Sequence, residues 1–535
     1  MIVKLSKFIN KKKELLFLAI ILSFSIYCSL IVGMSWDEPY HYRNGENIYK
    51  YIFSFGKLSY ESANFPFHFG FYDFFSTLIT KNFSSKYIIE SHHLINLSFS
   101  LGTVFGIYKL SKFFFNKEIA KLSFIFLFFN PIFFGHFSIN SKDTIVAFSH
   151  VWFFYILIKY FKNLNNNLKR TNLVFLLAFI FSLGLSIRLT FIFSLFPIFI
   201  ILILDFLIFR IFLKKISFQK SILFDLLIFF LISVSITLLF WPDTHKDIFS
   251  LPFVFVKNYF NNFFSSSFSL PFGILNGHIY STSNTPNSYI FIMLLYKMPT
   301  YIILAFFLLP FFYFLKNFWK KKIFLIKFLY ISMQFLIPLI LVFSFSVSLN
   351  DGIRYFLYII PYIVLFFCIL LYLIFSYKKI YLLPLKFFFI CLFLFEIYIF
   401  FILTPYQYSY INFLNGKYSE NIHKFENDYW GISLKELILD INKKKLFLNE
   451  RDKIYKVAFC GLNEKVAQYY LNKLDNFKYR TVDTNKDYDF IVFINRNTGT
   501  ANQSIDDVST CYKKFFKEQL LTVDRNNLSL SFISK

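Results

Sequence analysis

Apolar stretches of similar length recur along roughly the first 400 residues, and a polar, alternating pattern follows them. A helix that spans a bilayer needs about 20 predominantly apolar residues, and lipid offers no partner for backbone groups left unpaired. We therefore predict about eleven transmembrane helices, near residues 15–34, 88–108, 119–137, 143–161, 172–189, 190–212, 221–241, 290–315, 323–347, 355–377 and 380–403. The first stretch follows a run of lysines but precedes no small-residue cleavage site, so we interpret it as a retained helix.

Two connections between these helices are longer than the few residues that usually suffice. The first covers residues 35–87 and the second covers residues 242–289. The first contains the amphipathic, aromatic segment NFPFHFGFYDFFSTLI, which predicts a helix lying in the plane of the membrane interface.

The last part of the chain, residues 404–535, has the pattern of a small α/β domain. KIYKVAFCG and DYDFIVFIN predict strands, and NEKVAQYYLNKL between them predicts a helix. This segment has no glycine-rich phosphate loop, so nothing there indicates nucleotide binding. The predicted fold is thus a polytopic α-helical membrane domain over residues 1–403 followed by an α/β domain.

Composition and charge agree with this division. Of the 535 residues 56% are hydrophobic and only 16% are charged, too few for a soluble protein. The net charge of +25 is not accompanied by any nucleic-acid-binding motif, so we expect no nucleic-acid partner. With the N-terminus inside, the inner segments carry 25 Lys and Arg against 4 acids, and the outer connections carry 11 against 10.

This asymmetry follows the positive-inside rule. It predicts a multi-pass protein of the plasma membrane with a cytoplasmic N-terminus and an extracytoplasmic C-terminal domain. The inner basic segments, which suit anionic membrane lipid, include RIFLKKISFQK, KNFWKKK and YKK. Cys460 and Cys511 would form a disulfide in an extracytoplasmic domain, although two free thiols fit the sequence as well.

Asp37 and Glu38 are the first candidates for chemistry. They follow the first span directly, and adjacent carboxylates so close to lipid need partners, which indicates a functional role. The alternative is a solvated helix end. Asn140, Lys142 and Asp143 crowd a second short outer connection, where capping of the following helix by Ser141 or Asp143 is an equally good interpretation.

Arginines at outer helix ends form the second group of candidates. Arg188 lies at one helix junction, and Asp351 and Arg354 lie with Asn350 in SLNDGIRYF at another. A guanidinium group suits phosphate because it donates two parallel hydrogen bonds, although a lone arginine can also be an interfacial anchor. Glu396 stands alone in the last span, where we interpret it as a structural hydrogen-bond partner.

The nine histidines, among them His41 in the first outer connection, show no HExxH-like spacing. No cofactor is indicated by any motif. A divalent metal held by Asp and His from different loops stays open.

The DE pair after the first span, in a chain of about eleven helices, resembles the GT-C superfamily of membrane glycosyltransferases. The protein-mannosyltransferase-like branch, whose members use dolichyl- or polyprenyl-phosphate sugars, is the most similar. The resemblance is carried by SWDEPYHYRNGENIYKY, FFGHFSINSKDTIVAF and NDGIRYFLYIIPY. TPYQYSYINFLNGKYSENIHKFENDYWGISLKEL resembles an extension seen in bacterial relatives.

The resemblance implies roles for individual residues. Asp37 would be the general base, Glu38 would orient it or hold substrate, and Asp143 would occupy the acidic position of the second outer turn. Arg354 and Arg188 would hold the lipid phosphate. The remaining substrate-binding candidates are Lys142, Asn140, Asp351 and His41.

The function predicted from these features is an inverting transfer of a sugar from a polyprenyl-phosphate donor to a glycan, lipid or protein. A lipid or polysaccharide transporter is the alternative; it would place ionisable groups near the bilayer midplane in broken helices. A third possibility is a noncatalytic membrane protein that binds partners through its C-terminal domain.

Overall fold

A computed structural model describes residues 2–60, 69–213, 220–264, 270–308, 322–345, 347–376, 380–444, 453–474, 477–500 and 503–535. The helices before the C-terminal part are α1 (Ile2–Ile31), α2 (Glu38–Phe53), α3 (Phe71–Thr80), α4 (Ile88–Phe114), α5 (Lys117–Phe128), α6 (Pro131–Gly135), α7 (Asp143–Lys162), α8 (Asn167–Ile187), α9 (Phe191–Ser194), α10 (Phe196–Leu204), α11 (Lys220–Leu239), α12 (Leu251–Phe264), α13 (Tyr289–Lys297), α14 (Thr300–Phe307), α15 (Lys322–Ser344), α16 (Ile360–Ser376) and α17 (Leu383–Ile402). The later helices are α18 (Leu434–Lys443), α19 (Glu464–Leu471) and α20 (Cys511–Phe515).

The strands are few and lie mostly after the last span. They are β1 (Phe272–Leu275), β2 (His278–Ser281), β3 (Ile454–Cys460), β4 (Lys478–Thr481), β5 (Phe490–Ile494), β6 (Gln519–Arg525) and β7 (Leu528–Ser534).

The chain is a multi-pass membrane protein. Within the described ranges, eight helices are long and apolar enough to cross a membrane, or nine if α13 and α14, which meet at 114°, form one broken span. The predicted spans at 88–108 and 119–137 lie on α4 and on α5 with α6, which are not among these helices. The predicted span at 290–315 lies outside the described residues from residue 309 onward. Of the predicted inner basic segments, RIFLKKISFQK and KNFWKKK lie partly outside the described residues, and YKK lies entirely outside them.

The core of the membrane part is built around α16 and the short 3₁₀ turn Arg354–Ile359 that precedes it. In this span 94% of the apolar window is buried inside the protein, against 11% in the span that contains α11. α16 is therefore an interior helix, whereas most of the apolar surface of α11 is not covered by the rest of the protein and faces lipid.

Two helices of the first outer connection pack closely through Gly45. A methyl group at this position of α2 would collide with the Thr77 hydroxyl and the Asp73 carbonyl of α3. Part of the predicted interfacial helix, residues 64–68, lies outside the described residues, and the rest corresponds largely to α3.

The C-terminal part contains a five-stranded sheet with the order β4-β3-β5-β7-β6. The strands β4, β3 and β5 run parallel, and β7 pairs antiparallel with both β5 and β6. The predicted strands and helix correspond to β3, β5 and α19. A disulfide joins Cys460 at the end of β3 to Cys511 at the start of α20, with the Cα atoms 5.9 Å apart.

The C-terminal part is hydrogen-bonded to the segment that follows α1. The amides of Gly33 and Trp36 donate to the carbonyls of Ile432 (3.2 Å) and Trp430 (3.1 Å). The amide of Met34 donates to the hydroxyl of Tyr470 over 2.7 Å. The backbone immediately before Asp37 is thus fixed by residues about 400 positions later in the chain.

Candidate active site

Asp37 lies at the start of α2 and is held between two cations from distant segments. Its Oδ2 is 3.2 Å from Lys142 Nζ and 3.3 Å from Arg354 Nη1. The Asp37 side chain keeps 22% of its surface exposed, whereas those of Lys142 and Arg354 keep 12% and 10%. The carboxylate is therefore the most accessible group of this trio.

The charge around Asp37 shifts its titration. Burial alone would raise the pKa of the carboxyl, but Lys142, Arg354 and the nearby His41 outweigh burial and hold the pKa of Asp37 below its ordinary value. Asp37 is consequently ionised at neutral pH.

Glu38 points away from Asp37 and into the protein. Its Oε1 lies 2.9 Å from His93 Nε2 on α4 and accepts a hydrogen bond of 2.7 Å from the Tyr42 hydroxyl. Its Oε2 accepts from the amide of Ser35. With only 2% of its surface exposed, Glu38 fastens the first turn of α2 to α4.

The second outer turn brings Asp143 and Arg188 together at the start of α7. Asp143 Oδ1 is 2.9 Å from Arg188 Nη2, and its Oδ2 accepts from Asn140 Nδ2 over 3.0 Å. Asn140 Oδ1 in turn accepts from the amides of Lys142 and Asp143. Asn140 therefore orders the turn before α7 and braces the Asp143 carboxylate. The predicted capping by Ser141 or Asp143 is not found, because Lys142 is at the N-cap position of α7 and its side chain makes no cap hydrogen bond.

Arg354 connects this site to Asp351 and Tyr355. Its Nη2 is 2.8 Å from Asp351 Oδ2 and donates to the Tyr355 hydroxyl over 3.0 Å. The guanidinium carbons of Arg188 and Arg354 lie 4.7 and 4.8 Å from the centre of the Tyr355 ring. This ring holds the two arginines next to each other.

Both of these arginines retain an unused donor. The Nε atoms of Arg188 and Arg354 are buried and have no hydrogen-bond partner among the described residues. Buried donors are seldom left unpaired in folded proteins. Two such donors on neighbouring guanidinium groups indicate a place for an anionic ligand.

Arg496 contacts Asp351 beside this site and was not among the residues predicted from the sequence. It follows β5 in the C-terminal part and is 4% exposed. Its Nη2 contacts Asp351 Oδ1 at 2.5 Å, its Nη1 donates to the Tyr429 carbonyl over 2.7 Å, and its Nε lies 3.6 Å from Glu426 Oε1. The sequence did contain a sign of this residue, because Arg496 is a charged residue only two positions after the entirely apolar strand β5.

His41 lies on α2 one turn after Asp37 and is paired with a carboxylate from α3. Its Nδ1 is 2.9 Å from Asp73 Oδ1, and both side chains are buried, with 8% and 2% of their surfaces exposed. Asp73 Oδ2 accepts from Asn44 Nδ2 over 2.7 Å. Asp73 and Asn44 were not predicted, because nothing in the sequence relates α3 to α2.

No three His, Cys, Asp or Glu side chains in the described part of the chain are arranged to hold a metal ion. Six of the residues predicted from the sequence come together in one site, namely Asp37, Lys142, Asp143, Arg188, Asp351 and Arg354. Asn140 and His41 adjoin this site, whereas the Glu38 side chain is directed toward α4.

No protein-family model and no curated protein sequence matches this chain. Its fold, however, matches solved structures. The crystal structure of ArnT from Cupriavidus metallidurans in the apo state matches with a TM-score of 0.50 and 10% identity, over 98% of both chains. ArnT bound to undecaprenyl phosphate gives a TM-score of 0.49 with the same identity and coverage.

The chain has the GT-C fold. The archaeal oligosaccharyltransferase AglB from Archaeoglobus fulgidus, in complex with an inhibitory peptide and a dolichol-phosphate, shares 11% identity with a TM-score of 0.46, over 89% of this chain and 69% of that chain. The match to apo ArnT confirms the fold that the sequence predicted, and the five-stranded sheet after the last span confirms the small C-terminal domain. At these identities the comparison gives the GT-C fold alone and assigns no role to any residue.

Proposed function

We propose that this protein transfers a sugar from a polyprenyl-phosphate donor to an acceptor at the outer face of the membrane, with inversion at the anomeric carbon. The observation that carries the proposal is the arrangement around Asp37. A partly exposed carboxylate is held by Lys142 and Arg354, next to two buried guanidinium Nε donors that no described residue accepts from.

The chemistry requires a base and a cationic site for the leaving phosphate. Asp37 takes the proton of the acceptor hydroxyl while the acceptor oxygen bonds to the anomeric carbon. The bond between that carbon and the phosphate oxygen breaks, and its electron pair leaves with the phosphate. Arg354 and Arg188, with Lys142 close by, stabilise the charge that grows on this phosphate.

The fold is compatible with a lipid-linked donor. ArnT, whose apo structure has the same fold, has also been crystallised with undecaprenyl phosphate. The site residues lie at helix ends and in the connections that the sequence places outside the membrane, which is where the phosphate of a donor anchored in lipid would be located.

The orientation in the membrane forms part of the proposal. The site and the C-terminal part lie on the same side, because residues 33–36 are hydrogen-bonded to residues 430–432 and 470. Structural disulfides persist in oxidising compartments, so the Cys460–Cys511 disulfide favours an extracytoplasmic position for both. The excess of basic residues in the opposite connections agrees with this orientation.

The test is transfer of labelled sugar by purified protein from polyprenyl-phosphate sugars to a mixed glycan, lipid and protein acceptor pool. Asp37→Asn keeps the shape of the side chain but cannot accept the proton, and we expect it to reduce turnover by at least about 10²-fold. Glu46→Gln is the matched control, because Glu46 lies on the same helix in an exposed pair with Lys50. Wild-type turnover in a folded Asp37→Asn variant would contradict the proposed base.

One observation favours a transporter as a second candidate. Lys297 ends α13 at the 114° break before α14, and its buried Nζ has no hydrogen-bond partner among the residues described. Transporters place ionisable groups at such breaks. Movement of lipid-linked sugar across vesicles without sugar transfer, abolished by Lys297→Met, would support this candidate instead.

A further inference from the structure

A short segment of the C-terminal part, residues 426–431, returns to the active site and brings an aromatic ring to Arg354. The ring centre of Trp430 lies 5.4 Å from the guanidinium carbon of Arg354, and 3% of the Trp430 surface is exposed. The carbonyl of Trp430 accepts a hydrogen bond of 3.1 Å from the amide of Trp36, the residue that precedes Asp37. Trp430 therefore contacts both the arginine proposed to bind the donor phosphate and the backbone that leads to the proposed base.

The guanidinium group of Arg354 is held by carboxylates and lies beside two rings. Its Nη1 is 3.3 Å from Asp37 Oδ2, and its Nη2 is 2.8 Å from Asp351 Oδ2 and donates to the Tyr355 hydroxyl. The ring centres of Tyr355 and Trp430 lie 4.8 and 5.4 Å from the guanidinium carbon. The attraction between a cation and an aromatic ring is strongest for tryptophan and grows when both groups are removed from water. Only Nε of this guanidinium group is left without a hydrogen-bond partner among the described residues.

The Trp430 ring is itself fixed by its neighbours. It packs against the rings of His136 and Tyr429, whose centres lie 5.6 and 5.4 Å away. His136 Nε2 and the Tyr429 hydroxyl are hydrogen-bonded to each other over 2.8 Å. The backbone after Trp430 is held as well, because the amide of Ile432 donates to Asp428 Oδ1 over 3.0 Å. A ring held in this way can restrict the position of the cation beside it.

We propose that Trp430 is a positioning residue that keeps the Arg354 guanidinium group in place to bind the donor phosphate. The inference rests on the proposed transferase function. A mobile arginine has to be ordered each time a ligand binds, and this ordering lowers the affinity, whereas a guanidinium group that is already held in place avoids the loss. The C-terminal part thus contributes to the phosphate site through Trp430.

The alternative is that Trp430 only fills the core in which the C-terminal part packs against the segment after α1. The test measures the Kd of the purified protein for labelled undecaprenyl phosphate, which carries no sugar and cannot react. Trp430→Phe keeps an aromatic ring, and Trp430→Leu removes it. Phe493→Leu is the matched control, because Phe493 is fully buried in the same core but stacks on Phe532 instead of an arginine.

We expect Trp430→Leu to raise the Kd about tenfold and Trp430→Phe to raise it about threefold, because the attraction between ring and guanidinium is lost in the first variant and weakened in the second. The KM for the sugar donor should rise in parallel. Phe493→Leu should lower Tm and leave the Kd unchanged. Thermal unfolding shows whether each variant is folded, and if Trp430→Leu is not, the Kd of Trp430→Phe decides.

A double-mutant cycle separates positioning from packing. In an Arg354→Gln background, Trp430→Leu should raise the Kd no further, because the cation on which Trp430 acts is gone. A rise as large as the one measured with Arg354 present would show that Trp430 acts through packing alone, and would overturn the inference.

A folded Trp430→Leu variant with the Kd of wild type would also overturn it. If wild type binds undecaprenyl phosphate and transfers sugar in that case, the proposed function stands and only the role of Trp430 fails. If wild type neither binds undecaprenyl phosphate nor transfers sugar, the proposed function itself fails.

Discussion

Replacing Arg496 by methionine tests whether the C-terminal part holds the active site together. Methionine keeps much of the volume but removes the cation that contacts Asp351 at 2.5 Å and lies 3.6 Å from Glu426. Removing one partner of a buried ion pair costs about 3–5 kcal/mol, because the other charge stays buried without compensation.

The structure places the expected cost at the lower end of this range. Asp351 keeps Arg354 as a partner at 2.8 Å. Burial already raises the pKa of Glu426 despite the presence of Arg496, so that this carboxyl takes up a proton once the cation is gone. We therefore expect a loss of about 3 kcal/mol, which lowers Tm by roughly 6–12 °C for a cooperative unit of 150–250 residues.

The assay is thermal unfolding in detergent together with sugar transfer. Turnover should also fall, because Asp351, which pairs with Arg354, is no longer held in place by Arg496. Arg480→Met in β4 is the matched control, since Arg480 is exposed. Adding Glu426→Gln to Arg496→Met should recover part of the lost Tm. An Arg496→Met protein with the Tm and turnover of wild type would refute the reasoning.

Three further predictions concern the elements that support the site. The Cys460–Cys511 disulfide closes a loop with a sequence separation of 51. Because the open loop gains conformational entropy in the unfolded chain, removing the disulfide should destabilise the C-terminal part by about 4 kcal/mol. Thermal unfolding with and without reductant measures this loss, and an unchanged Tm would contradict the prediction. Gly45→Ala should push α3 away from α2 and lower both Tm and turnover, whereas wild-type turnover would show that the close packing is not needed. Burial raises the pKa of Asp428 to about 6, above its value in the unfolded chain, so the folded state binds more protons and stability should fall as the pH rises from about 4 to about 6. Denaturant titrations across this range test the slope, which Asp428→Asn should flatten.

The sequence by itself determined the elements that depend on local chemistry. Lipid leaves an apolar stretch of about 20 residues no alternative to a helix, and so most of the eleven predicted spans, though not those at 88–108 and 119–137, correspond to helices apolar and long enough to cross a membrane. The strands β3 and β5 and the helix α19 were predicted for a similar reason, because a single face or run of apolar residues specifies each. Glu396, interpreted as a structural hydrogen-bond partner, indeed accepts from the amide of Thr300 and the hydroxyl of Tyr410.

Only the tertiary structure decided which of the polar residues meet. Asp37 is 105 residues from Lys142 and 317 from Arg354, and no local pattern encodes those contacts. Glu38 adjoins Asp37 in sequence yet faces α4, since consecutive residues at the start of a helix point in different directions. Asp73 and Arg496 enter the site from α3 and from the C-terminal sheet because packing brings these elements to α2, and packing is a property of the whole chain.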